Sequence, residues 1–222
     1  MSKVLVIVGS TRPGRAADLV VPWVTSRALA HQGFDTEVAD LRDWPLPIFA
    51  EHPGTLGDIN DPTYSEPVVR AWNKKVKEAD AFIVVTPEYN HSIPAVLKNA
   101  IDTVWLSFGF RNKPVAAVGY SGSIGAGIRA IEHLAQVLIE AEAVPLRNTV
   151  VIPFVRAAFG DDGEPTNPET EIRLQVMLDD LAWWSSALEK ARADGELTPG
   201  TLRVRAAQAR AAQARAAQAA RG

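Results

Sequence analysis

Cysteine is absent from the 222 residues, which excludes a disulfide framework, a thiol nucleophile and a thiolate metal site. No run approaches the roughly 18 apolar residues that a membrane-spanning helix needs, so no membrane partner is expected. The N-terminal apolar run Val4–Val8 is too short for a signal peptide and leads into Gly9-Ser10 rather than a cleavage site. It reads as a first buried strand, and the cytoplasm is the expected compartment. His31, His52, His91 and His133 are scattered, with no His-x-x-x-His pair, so no metal site is expected. Excess positive charge is lacking too. The formal charge is −3, and five of the 23 basic residues are arginines crowded into residues 203–222, so the rest of the chain is more acidic still. An acidic body does not invite nucleic acid.

What is present is an apolar content of 47%, enough for a real core, in a length that suits one domain with an appendage. Short apolar runs alternate with segments of helical period. Strands are predicted at 3–9, 34–39, 81–86, 114–120 and within 145–152. Helices are predicted at 16–31 (closed by Gly33), 66–79, 94–107, 126–141 and 168–191. In 66–79 the signal is Val68, Val69, Trp72 and Val76 at helical spacing. This order predicts an α/β fold with a five-stranded parallel sheet and helices on both faces. Loops 42–65 and 157–167 are long and rich in Pro, Gly, Asp and Asn, and loops of that length are often functional. The expected domain covers 1–192. Residues 193–222 read as a low-complexity tail, helical or disordered, in which Arg-Ala-Ala-Gln-Ala occurs three times. A five-residue period turns each arginine about 140° around a helix axis, so no single charged stripe forms.

Three loops follow the carboxyl ends of predicted strands, where open α/β sheets place their ligands. The first is Gly9-Ser10-Thr11-Arg12-Pro13-Gly14-Arg15. Its glycines permit a sharp turn and close approach, its hydroxyls and arginines suit an anion, and a helix N-terminus follows. Gly-x-x-x-x-Gly matches the start of a triphosphatase loop, but Arg15-Ala16 stands where Lys-Ser/Thr is required, and no Gly-x-Gly-x-x-Gly is present. A phosphate monoester bound without metal remains. The second loop, Pro87-Glu88-Tyr89-Asn90-His91-Ser92, suits a flat heterocycle: Tyr89 or His91 can pack on a ring while backbone N–H groups face its heteroatoms. The third, Tyr120-Ser121-Gly122-Ser123-Ile124-Gly125, again permits close approach. A nucleophile elbow, Gly-x-Ser-x-Gly, fails because the fifth position from Gly119 is Ser123.

Together these loops resemble the NADPH-dependent FMN reductase family of flavodoxin-like flavoproteins. The resemblance rests on Gly9–Arg15, on Thr86–Pro94 with Leu97-Lys-Asn-Ala-Ile-Asp102, and on Gly119–Gly125, and covers roughly residues 1–190. It implies strand order 2-1-3-4-5 and a bound FMN. Ser10, Arg12, Gly14, Arg15 and Ala16 would surround the phosphate. Pro87, Glu88, Tyr89, Asn90, His91 and Ser92 would line the isoalloxazine and ribityl chain, and Ser121, Gly122 and Ser123 would close the other side. The family often has serine or asparagine where this chain has Arg15-Ala16-Ala17, so one phosphate contact is expected from an arginine or the backbone. The implied activity passes hydride from NADPH or NADH to FMN N5 and then to a small-molecule electron acceptor: a quinone, free flavin, azo compound or metal oxyanion. The flavin supplies the chemistry, so no catalytic protein residue is assigned. The resemblance also implies a homodimer or homotetramer, with Val104-Trp105-Leu106, Phe108 and Phe110 as candidate interface. A non-enzymatic electron carrier is the competing reading, separated by its lack of nicotinamide turnover. A phosphoester-binding regulatory module would bind no flavin.

Overall fold

The computed structural model describes residues 1–52, 54–57 and 62–219. Strands β1 (Ser2–Val8), β2 (Phe34–Asp40), β3 (Ala81–Pro87) and β4 (Pro114–Tyr120) alternate with helices α1 (Ala17–Ala30), α2 (Pro67–Glu78) and α3 (Ala95–Asp102). Helix α4 (Ile128–Glu140), strands β5 (Val144–Pro145) and β6 (Val150–Ile152), and helix α5 (Pro168–Gly195) follow. All pairings are parallel, in the order β2-β1-β3-β4-β5, and β6 also pairs with β4. This is the flavodoxin-like arrangement expected.

Both faces of the central strands are buried, so their side chains partition with period two into two separate cores. Leu5, Ile7, Phe82, Val84, Val115 and Ala117 meet α2, α3 and α4. Val4, Val6, Val8, Ile83, Val85, Ala116, Val118 and Tyr120 meet α1 and α5. Helix α2 inserts Val69, Trp72 and Val76 at helical spacing, and the Trp72 indole N–H is satisfied by the Ala100 carbonyl at 2.8 Å.

Four sequence readings are corrected. The fifth strand is two short pieces, Val144–Pro145 and Val150–Ile152, and Asn148, between them, donates to Asp180 at 2.5 Å. The predicted helix 94–107 stops at Asp102. Val104 leaves helical geometry at φ −122°, a single 3-10 turn covers Trp105–Ser107, and Phe108 is left-handed at φ 54°. Helix α1 ends at Ala30 with an extended His31, whose Nδ1 accepts the Gly33 N–H at 3.1 Å, so Gly33 is not a left-handed helix cap. Val104, Leu106 and Phe110 are core residues at 0–3% exposure, which leaves only Trp105 and Phe108 of that apolar set partly at the surface.

The loop 42–65 packs down through Leu56 and Tyr64, both buried, and through Trp44 edge-on to Trp72. Asn99 on α3 ties it by accepting the Phe49 N–H and donating to the Pro47 carbonyl, each at 2.9 Å. Met1–Glu189 forms one compact unit and the chain from Lys190 onward a second. Within the latter, α6 (Gly200–Ala219) is helical, with Arg203, Arg205, Arg210 and Arg215 exposed; Arg221 lies outside the described residues.

Candidate functional site

The carboxyl ends of β1, β3, β4 and β6 surround a cavity of about 350 Å³. Arg12, Gly14, Arg15 and Ala16 line it from the first loop, Pro87, Glu88 and Tyr89 from the second, and Ser121 and Gly122 from the third. Ser10, Asn90, His91, Ser92 and Ser123 lie outside its lining.

The first loop is built as an anion cradle. Gly14 sits at φ +62°, a conformation open to glycine, and turns the chain into α1. Among the described residues, the backbone N–H groups of Arg12, Gly14, Arg15 and Ala16 donate to no protein acceptor. Unsatisfied N–H groups at a helix N-terminus favour a bound anion. Beneath them Ser10 is fully buried, and its hydroxyl meets the Tyr89 hydroxyl at 2.8 Å, which fixes the first loop against the second. The Arg12 guanidinium lies 5.2 Å from the Tyr89 ring centroid.

Arg15 is buried and faces protein. It donates to Asp18 at 2.8 Å, to Asp40 Oδ1 at 2.7 Å, and to Asp40 Oδ2 and the Ser10 carbonyl. Burial opposes ionisation of Asp40, but the Arg15 guanidinium and the Arg42 N–H outweigh it and hold the carboxyl below its usual range.

The second loop is a tight hairpin turn. Tyr89 and Ser92 exchange both backbone hydrogen bonds, while Asn90 and His91 take positive φ of 50° and 66°, the geometry of a type I′ turn. Three contacts tether it to α4. Arg129 donates to Glu88 at 2.6 Å, Arg129 Nη1 donates to His91 Nε2 at 3.0 Å, and His133 Nδ1 meets the Ser92 hydroxyl at 3.0 Å. The Glu88 and His91 side chains thus brace the turn and leave backbone and the Tyr89 ring to face a ligand. In the third loop the Ser121 hydroxyl donates to the Ser123 carbonyl at 2.8 Å and accepts the Ser123 N–H at 3.2 Å.

Two contributors are absent from the sequence reading of the site. Tyr120 ends β4 and lines the cavity, yet its hydroxyl is buried and makes no hydrogen bond among the described residues. Burial pushes its ionisation well above the usual phenol range, so it is a neutral donor. Phe154, Val155, Arg156 and Ala157, just past β6, close the far wall. Phe154 is 56% exposed and left-handed at φ 45°, rare for a bulky residue and typical of functional loops. The signal available in the sequence was positional, since every other parallel strand of the central sheet already delivered a loop to this edge. Free N–H groups on the first loop and a cavity of about 350 Å³ beside them fit a phosphate-bearing cofactor such as FMN.

The sequence profile described as NADPH-dependent FMN reductase matches residues 2–157. An NAD(P)H-dependent FMN reductase of Schizosaccharomyces pombe is 34% identical over 152 residues, 68% of this chain and 74% of that protein. A 2-hydroxy-1,4-benzoquinone reductase of a Burkholderia species is 30% identical over 187 residues, 82% of this chain and 95% of the relative. Among solved structures, the flavoenzyme NAD(P)H:(acceptor) oxidoreductase FerB of Paracoccus denitrificans superposes with a TM-score of 0.68 at 24% identity, covering 84% of this chain and 98% of FerB, which speaks to the fold. With the profile matching residues 2–157 of 222, the chain belongs to the NADPH-dependent FMN reductase family.

Proposed function

We propose that the cavity at the carboxyl edge of the sheet holds FMN, with its phosphate on the loop of Ser10, Arg12, Gly14, Arg15 and Ala16, where Arg15 contributes its backbone N–H. Its ring system lies along Pro87–Ser92 and is closed by Ser121, Gly122 and Ser123. The protein is an FMN-dependent NAD(P)H oxidoreductase, and the acceptor class we assign is quinones, which the benzoquinone-reducing relative supports. Bound FMN supplies a carrier for the hydride of NAD(P)H, which passes on as two electrons to the acceptor with protons from solvent. The chain's own residues orient and hold. The cradle N–H groups fix one end of the cofactor, the I′ turn presents backbone to the ring, and the α4 tethers keep that turn rigid. The observation that carries this reading is the cradle of free N–H groups opening onto the cavity wall formed by Pro87–Tyr89.

The test is an anaerobic absorption spectrum with FMN, before and after NADPH or NADH. A bound flavin spectrum that bleaches on either nucleotide, and recovers on adding a benzoquinone, is expected. Bound flavin that neither nucleotide bleaches would instead indicate an electron carrier.

Arg12 meets no carboxylate among the described residues, so its charge is available to the cofactor. Arg12→Ala is expected to weaken FMN binding about tenfold, the loss of one charge-assisted contact. Unchanged affinity would remove Arg12 from the site. We assign catalysis to 1–192 and read 193–222 as an appendage, because α6 buries no residue. Deleting 203–222 should therefore leave turnover and flavin content intact, and loss of either would give the tail a role. We place the enzyme in the cytoplasm as a homodimer or homotetramer, which sedimentation of the purified chain will check.

A further inference from the structure

We infer that the charge selecting a phosphorylated flavin over an unphosphorylated one comes from Arg156, and that Arg15 serves as a strut. The inference rests on the FMN reading above and divides the labour within that site.

By its place in the motif Arg15 is the obvious phosphate ligand, but four of its five N–H donors are taken: one by Asp18, two by Asp40 and one by the Ser10 carbonyl. Asp18 and Asp40 offset the Arg15 charge, and the Arg42 guanidinium also contacts Asp18, so this cluster has no excess positive charge to offer a dianion. Arg156 presents the opposite case. It pairs with no carboxylate among the described residues, and its Nη2 donates to the carbonyl of Gly14 at 2.7 Å. That contact parks a full positive charge beside the cradle N–H groups of Gly14, Arg15 and Ala16, on the wall of the same cavity. Arg12, stacked on the Tyr89 ring, meets the cofactor from the side of the second loop.

The experiment compares FMN with riboflavin, which differ by the phosphate alone. The full-length chain, freed of flavin, is titrated with each by flavin fluorescence, in wild type, Arg156→Gln, Arg156→Lys and Arg15→Gln, with thermal melts confirming that each variant folds. Arg156→Gln is expected to weaken FMN about 10- to 100-fold while riboflavin binding stays within about twofold, the range for one charged hydrogen bond. Arg156→Lys should recover part of the loss. The salt dependence of FMN binding should flatten in Arg156→Gln. An FMN-to-riboflavin ratio unchanged in Arg156→Gln, or one that collapses in Arg15→Gln instead, overturns the assignment. A wild type that binds FMN and riboflavin equally overturns the phosphate selection but keeps the flavin. A wild type that binds neither overturns the FMN reading itself, and this inference with it.

Discussion

Gly127→Ala is expected to destabilise the domain by about 3 kcal/mol or more, the range for a forbidden backbone conformation combined with an overpacked core. Gly127 sits at φ +92° at the start of α4, and a Cβ there would lie 2.3 Å from the Tyr120 nitrogen and 2.4 Å from the Gly119 carbonyl carbon. Both are main-chain atoms of β4, so no side chain can swing aside. The approach is close from both directions, since a Cβ on Gly119 would in turn lie 2.8 Å from the Gly127 carbonyl oxygen. Alanine must therefore push α4 off the end of the strand that carries Tyr120 to the cavity. For a chain of this size the melting temperature should fall by about 6–12 °C. A melt within about 2 °C of wild type would mean that the junction is looser than its geometry implies. Flavin affinity should fall together with stability, because Glu88, held by Arg129 in the first turn of α4, moves with the helix.

The second large effect concerns the strut. Arg15→Met keeps the volume and removes the charge, which leaves Asp40, 24% exposed, beside an apolar side chain and leaves the Ser10 carbonyl without its donor. Breaking one side of a buried pair costs about 3–5 kcal/mol, and the partial exposure of Asp40 brings the expected loss at pH 7 to about 2–3 kcal/mol. The pH dependence identifies the cause. Asp40 is held below its ordinary value of 3.8 in the folded protein. Its contribution is therefore fully present above that value and is lost as pH falls through the lower folded one. Urea unfolding at pH 7 should show the full difference between wild type and variant, and the difference should narrow at pH 3. A gap of equal size at both values would attribute the loss to packing. Adding Asp40→Asn to Arg15→Met should restore part of the stability, since the uncompensated carboxylate is then gone.

Much of the fold was legible because its signals are local. A parallel strand buried on both faces writes itself as an unbroken apolar run, as in Val4–Val8 and Phe82–Val85, and α2 declares itself through Val69, Trp72 and Val76. The break after Asp102 was hidden because 94–107 stays apolar at helical spacing throughout. What ends the helix is the packing of Val104, Leu106 and Phe110 into the core, which propensity does not record. The split of the fifth strand was hidden as well, because the Asn148–Asp180 contact at its centre joins residues 32 apart.

The same division runs through the site. The cradle from Gly9 to Ala16 and the turn from Pro87 to Ser92 are contiguous, and a backbone that must bend at one place to meet a ligand needs its glycine, proline and hydroxyls side by side. Sequence by itself therefore determined the strand order through the family likeness, the loops gathered at the carboxyl edge of the sheet and the chemistry that they suit. Tertiary structure alone decided what each charge does. Arg15 is neutralised by Asp40, 25 residues away, and Arg156 reaches Gly14 across 142. Whether an arginine is a ligand or a strut depends on which carboxylates the fold brings within hydrogen-bond reach, and separations of that kind leave no trace in a linear motif.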